Sequence, residues 1–142
     1  MAVGHLAVVV DIDAPVPVVW EALTVPSRVS VWDGVEPEDV PAGYPAPGQH
    51  ARWRTRLGPL RLTLHDRVGD VVPGRRLASV LDVAFVHVEE RYTLAETAGG
   101  TRVTSDNTVS SSVPGLSSLA HRLTRANVAA SMARLKAYCE RR

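Results

Sequence analysis

Two carboxyl groups, Asp66 and Glu90, interrupt otherwise apolar strand-like stretches in the middle of this chain, and they are the side chains best suited to chemistry. A carboxyl enclosed by apolar walls has its pKa raised toward neutrality, so it can give a proton to a carbonyl compound or take one from it. Tyr92, two residues beyond Glu90, places a phenol on the same strand face, and Asn107 offers an amide able to polarise a carbonyl. Ser79 and Ser105 complete the polar set. A plainer reading stands beside this one. Asp66 and Glu90 stand in water at a cavity mouth, or Glu90 is occupied by Ser79 and Asn107, or by Arg122 or Arg125.

Other chemistries find less support. His5, His50, His65, His87 and His121 show no metal-ligand spacing, so no metal site and no cofactor are expected. Ser110, Ser111 and Ser112 lack the strand-turn-helix context of a nucleophile, and Gly99-Gly100 reads as a hairpin turn, not a phosphate cradle. Cys139 has no second cysteine to pair with and reads as a packing residue.

The elements that position these groups follow from the turns. Gly58-Pro59, Pro73-Gly74 and Gly99-Gly100 are turn dipeptides, and Ala84-Phe85 is a fourth link. Pairing Leu57 with Leu60 sets Thr55 opposite Leu62, Trp53 opposite Leu64 and Ala51 opposite Asp66. The next turns set Val68 against Ser79, Asp66 against Leu81, Ser79 against Glu90 and Leu77 against Tyr92. The last sets Leu94 against Val103, Tyr92 against Ser105, Glu90 against Asn107 and Val88 against Val109. One face stays mainly apolar throughout, and a slip of one residue would turn a strand's side chains to the other face. On this face Asp66 lies two strands from Glu90, roughly 10 Å away, too far to share a proton but suited to flanking a small ligand.

Around the strands the sequence predicts helices. Leu116 to Arg142 lacks Gly and Pro and carries Leu116, Leu119, Leu123, Ala126 and Ala130, then Val128, Met132, Leu135 and Tyr138, as a broad apolar stripe. Ser117 or Ser118 is its expected cap, and its length is on the order of 36 Å. At the other end, a strand over His5–Asp13 runs into a short helix opened by Pro15 and ended by Pro26, then a second over Ser27–Trp32. A short strand near Val35–Val40 and a Pro/Gly-rich loop follow.

With 142 residues, 45% of them hydrophobic, the chain suits a single domain over 1–142. A net charge of +1 does not announce a nucleic-acid binder, and runs such as Leu6–Val10 are too short for stable membrane insertion. A cytoplasmic protein, monomer or homodimer, is expected.

Several stretches resemble the START-related helix-grip (SRPBCC) superfamily. They are the opening VVVDIDAPVPVVWEALTVPSRVSVWDGV, the strand and turn VVPGRRLASV, the element GGTRVTSDNTV and the closing ARLKAYCE. The likeness is strongest to the small bacterial polyketide cyclase/dehydrase and lipid-transport branch. It implies an α+β helix-grip fold, a curved seven-stranded antiparallel sheet around a long C-terminal helix, with two short helices after the first strand. Trp20 and Trp32 match packing positions. A hydrophobic cavity between sheet and helix is implied, and the paired Cys and His ligands of a Rieske centre are lacking.

On that fold the expected ligand contacts are Trp53, Leu64, Val68, Ser79, Leu81, Tyr92, Ser105, Asn107, Leu119 and Leu123, with Glu90, Asp66 and Tyr92 as the catalytic candidates. Two functions fit. One is a cofactor-independent cyclase that shapes a polyketide-type intermediate for ring closure. The other is a non-catalytic carrier of a lipid, quinone or similar hydrophobe, with Pro41–Gly48 and its central Tyr44 as gate. A subunit that stabilises a partner protein is a third. Arg52, Arg54, Arg56 and Arg61 share an outward patch: either Glu36, Glu38 and Asp39 neutralise it, or an acidic acyl carrier protein docks there.

Overall fold

The structure, a computed structural model, describes residues 3–57 and 59–141. Its elements are β1 (Gly4–Ile12), α1 (Val16–Thr24), α2 (Pro26–Trp32), β2 (Glu36–Asp39), β3 (His50–Leu57), β4 (Leu60–Val72), β5 (Arg76–Val83), β6 (Val86–Thr97), β7 (Gly100–Ser111) and α3 (Ser117–Glu140). The seven strands form one sheet in the order β1-β7-β6-β5-β4-β3-β2, every neighbouring pair antiparallel. The helix-grip α+β architecture implied by the sequence is the one observed.

The hairpin registers match those set by the turns. Trp53 opposes Leu64, Asp66 opposes Leu81, Ser79 opposes Glu90 and Tyr92 opposes Ser105. Alternation explains the agreement, since only one register turns Trp53, Val68, Leu77, Val88, Leu94, Val103 and Val109 inward, and all seven are buried. Gly58 of the first turn dipeptide lies outside the described residues, as do Met1, Ala2 and Arg142. A bulge between Val68 and Val71 bends β4. The Ala84-Phe85 link is a tight turn with Ala84 in the left-handed region, at φ 51°. At the opposite end of the sheet Gly100, at φ 155°, is packed so closely that a Cβ there would lie 2.2 Å from the carbonyl oxygen of Ile12.

Helix α3 packs chiefly on β1 and β7 and also touches both short helices. Val128, Met132, Leu135 and Cys139 enter the main core with Ile12, Val19, Ala22, Leu23, Trp32, Leu94 and Val103. Ala120 packs near the other end of the helix, with Val88 and Val109. Two expectations for α3 need correction. Its buried side is Ala120, Thr124, Val128, Ser131, Met132, Leu135 and Cys139, while Ala126 and Ala130 are exposed. Small polar residues therefore take part of the buried stripe, and alanines lie outside it. Neither Ser117 nor Ser118 caps the helix: Leu116 holds the cap position without a side-chain bond, because the Pro114-Gly115 turn ends one residue early and leaves both serines in the first helical turn. Similarly, Pro26 opens α2 as well as following α1.

The assignment of faces on α3 is testable by urea denaturation. Leu135 is fully buried, so Leu135→Ala should cost about 2–5 kcal/mol of stability. Exposed Ala130→Glu should change it by less than about 0.5 kcal/mol, and a large loss there would contradict the observed face.

Candidate functional site

Because α3 presses on β1 and β7, it does not pack directly on β3, β4 and β5, and a cavity opens between them. A chamber of about 230 Å³ is lined by Leu62, Leu64, Leu81, Val88, Leu123 and Val128 among others. Its exposed lining residues, Arg56, Ala84 and Asn127, mark the mouth, at the end of the sheet where the β3–β4 and β5–β6 turns lie. Toward the opposite end, beneath α1 and α2, a smaller compartment of about 70 Å³ continues it; Asp33, Val35, Leu64, Leu81, Glu90 and Tyr92 border both. A wider depression of about 550 Å³ is lined by the outward-facing Ala78, Val80, Glu89, Arg91 and Asp106, and Ser79, Glu90 and Asn107 border it as well.

Strand alternation brings Asp66 and Glu90 to the cavity face. Tyr44 donates its hydroxyl hydrogen to Asp66 Oδ2 at 2.5 Å, and Trp53 donates from Nε1 to the same oxygen at 3.1 Å. Asp66 is 4% exposed and its Oδ1 has no hydrogen-bond partner. Burial raises its pKa, against the hydrogen bonds from Tyr44 and Trp53, the nearby Ser79 hydroxyl and the charge of His50, all of which favour the anion. Glu90 is pushed up to about 8, first by burial and then by repulsion from Asp33 and Asp66, while Tyr92 opposes the shift. At neutral pH Glu90 is thus mainly an acid, with a proton to give. Burial, reinforced by Glu90 and Asp33, likewise holds the Tyr92 phenol in its neutral form.

Asn107 offers more than its expected role. Its Nδ2 donates to Ser105 Oγ at 3.0 Å, which leaves Oδ1, buried and unpartnered, as its free atom. That atom is an acceptor, able to receive a ligand hydroxyl or enol, and the second N–H of Nδ2 is still available to polarise a carbonyl. Nor does Asn107 bond Glu90, and Arg122 and Arg125 are exposed on α3.

Of the expected ligand contacts, Trp53, Leu64, Ser79, Leu81, Tyr92, Asn107 and Leu123 line the two compartments. Val68, Ser105 and Leu119 do not. Val68 and Ser105 are packed into the sheet face, and Leu119 stands half-buried one turn before the chamber. Pro41–Gly48 leads into β3 at the end away from the mouth, so it is not placed as a gate; Tyr44 forms a wall of the inner compartment. Among the described residues no group of three or more His, Cys, Asp and Glu side chains could hold a metal ion.

Sequence reasoning missed Asp33. It follows α2, accepts a 2.7 Å hydrogen bond from Ser131 Oγ and lies 3.7 Å from Arg134, whose Nε also donates to the Trp32 carbonyl. Burial raises its pKa to about 6, with the Ser131 bond and Arg134 opposing. No strand periodicity marks this position. The available signal was adjacency, since Asp33 directly follows Trp32, whereas its partner Ser131 lies 98 residues away along the chain.

The outward arginines are partly neutralised. Arg52 pairs with Asp39 at 3.1 Å and Arg54 with Glu38 at 3.7 Å. Arg56 stands opposite Arg61, and neither makes an ion pair among the described residues. No helix of the described residues is long and apolar enough to cross a membrane.

A family model described as polyketide cyclase/dehydrase and lipid transport matches residues 4–140. Solved structures share the fold. The Zhui aromatase/cyclase of Streptomyces sp. R1128 superposes with a TM-score of 0.82 at 18% identity, over 99% of this chain and 96% of that one. Protein CV1439 of Chromobacterium violaceum gives 0.77 at 15% identity, over 96% and 97%. DynU16, from the dynemicin biosynthetic locus, gives 0.73 at 25% identity over 96% of this chain, which spans only 47% of DynU16. No curated protein sequence matches the chain.

The protonation of Glu90 has a consequence for stability. In the unfolded chain it ionises near 4.5, whereas in the fold it keeps its proton to about 8. Stability from this group is therefore complete below pH 4.5 and is lost as pH rises toward 8. Thermal melts of Glu90→Gln should match the parent near pH 4.5 and exceed it at pH 8 by on the order of 2–4 kcal/mol. A pH-independent difference would place the carboxyl in water.

Proposed function

The chain belongs to the polyketide cyclase/dehydrase and lipid-transport family, and from that premise we propose that its cavity binds a small, hydrophobic, oxygenated molecule and closes a ring in it. The observation that carries this reading is the position of Glu90, which borders both the apolar chamber and a polar end that offers free acceptors, where burial favours its acid form. The chamber folds a flexible chain into one near-attack conformer, which is the larger part of such catalysis. The ligand's enol hydroxyl gives its proton to Asp66 as the enol carbon attacks a carbonyl carbon. Glu90 protonates the carbonyl oxygen as the new carbon–carbon bond forms, and Tyr92 steadies the Glu90 carboxylate left behind. Exchange with water then returns the proton from Asp66 to Glu90, and dehydration follows as Asp66 takes the adjacent C–H proton while Glu90 protonates the departing hydroxyl, so that water leaves and a carbon–carbon double bond forms.

Cavity size also bears on the alternative. Chambers of about 230 and 70 Å³ hold one or two rings, at or below the lower end of ordinary ligand pockets, and are too small for a diacyl lipid. The carrier reading thus narrows to a compact hydrophobe such as a quinone head. A docking site for an acidic carrier protein narrows as well, to Arg56 and Arg61 beside the mouth, since Arg52 and Arg54 have acidic partners.

The enzyme reading expects Glu90→Gln to lower turnover of a cyclisable polyketide mimic by about 10²–10⁴-fold while changing its affinity less than threefold. Equal binding by the variant with no conversion by either protein would leave only a carrier. For docking, Arg56→Glu combined with Arg61→Glu should weaken acyl carrier protein binding about tenfold in titration calorimetry. Unchanged affinity would remove this surface from consideration.

A further inference from the structure

The inner compartment has a composition that the ring-closure chemistry does not account for. Four aromatic side chains, Trp32, Tyr44, Trp53 and Tyr92, line a space of about 70 Å³. Tyr44 stands edge-on to Trp53, their ring centres 5.7 Å apart. Three carboxyls, Asp33, Asp66 and Glu90, line the same space. Among the described residues no lysine or arginine does; Arg134 reaches Asp33 from the α3 side, at 3.7 Å. Glu90 keeps its proton, so the negative charge here is that of Asp33 and Asp66, with Arg134 beside the first and the charge of His50 acting on the second.

A second, independent feature points to something that enters. Asp66 is 4% exposed, and its Oδ2 is occupied by Tyr44 and Trp53 while Oδ1 has no partner. Buried acceptors are normally satisfied, and apart from the Ser79 hydroxyl, which acts on this carboxyl without bonding Oδ1, the described residues offer this oxygen no further donor. Aromatic faces attract cations through their quadrupoles, and walls of Trp and Tyr with carboxylates between them are the chemistry that recognises an ammonium group. A space of 70 Å³ takes such a head, and the apolar chamber beyond it takes the body.

We propose that the inner compartment is an ammonium-binding subsite, so that the cavity's ligand is an amphipathic amine with its basic nitrogen between Asp66, Asp33 and the Trp53 and Tyr44 rings. This rests on the reading of the cavity as a ligand site and adds the chemical class of the ligand. Because the ammonium then occupies Asp66 Oδ1, the enol proton reaches Asp66 through the amine, which gives one N–H proton to the carboxylate as it takes that of the enol. A cation seated beside Asp33 and Asp66 cancels the charges that repel Glu90 and makes its proton easier to release, next to the part of the ligand that reacts.

The test compares three probes of one shape, phenylbutylamine, phenylbutanol and phenylbutyrate, by titration calorimetry on the wild-type chain, with tryptophan fluorescence as a second readout. The amine should bind at least about tenfold more tightly than the alcohol, and the carboxylate more weakly than either. Asp66→Asn, which keeps acceptors for Tyr44 and Trp53, should remove most of the preference for the amine and leave alcohol binding within about twofold. Equal affinity for amine and alcohol, or a preference for the carboxylate, overturns the subsite while leaving the cavity a ligand site. Failure of all three to bind overturns both. The wild-type comparison needs no variant, so poor folding of Asp66→Asn does not blunt it.

Discussion

Helix α3 can press closely against only part of a curved sheet, and where it does so governs everything else in this molecule. Its buried side chains are committed to β1 and β7 and to the two short helices. The inner face of β3 to β5 must then be shielded by something other than α3. Trp53 does this at one end, packed with Val29, Val35 and Ala51 under Tyr44. In the middle nothing does, and the cavity is the remainder of a packing problem solved elsewhere. Its walls stay apolar because the same alternation that builds the core continues past the core's edge.

Placing carboxyls in such a space works against folding, and the structure offsets that cost unevenly. Asp33 and Asp66 are each held by side chains from distant segments, Ser131 and Arg134 for one, Tyr44 and Trp53 for the other. Glu90 has less help and keeps its proton instead. The three acids are thus unlike one another although they share a cavity. Two are fixed by their neighbours, and the third, between them and the apolar chamber, is left free to exchange a proton.

The sheet was legible from the chain because its signals are local and redundant. Turn dipeptides fix the hairpins, and period-two burial checks each register against the next, so Asp66, Glu90 and Asn107 could be assigned to one face before any coordinates. The helix was less legible. Ala126 and Ala130 resemble core residues by type, and Thr124 and Ser131 do not, yet the contact with β1 and β7 buries the latter pair. The polar end of the cavity was least legible of all. Asp33 sits at a helix terminus and Tyr44 in a Pro/Gly-rich loop, and such positions have no period from which a direction can be read. Only tertiary contact shows that they meet Asp66 and Glu90. The free atom of Asn107 likewise depended on which neighbour took its amide, a choice between Ser105 and Glu90 that spacing along a strand does not make.

The two ends of the sheet differ in how much room they leave for change. At the β6–β7 turn the backbone of Gly100 touches the end of β1 so closely that even a methyl group has no place. The turns at the mouth have no such confinement: Ala84 and Leu60 are exposed, and loops attached there would extend into solvent beside the opening. Inherited variation in length should therefore collect at the mouth, where it alters what may enter, and be purged at the far end, where it would unseat the first strand. A fold divided in this way can acquire new ligands by lengthening two hairpins without renegotiating its core.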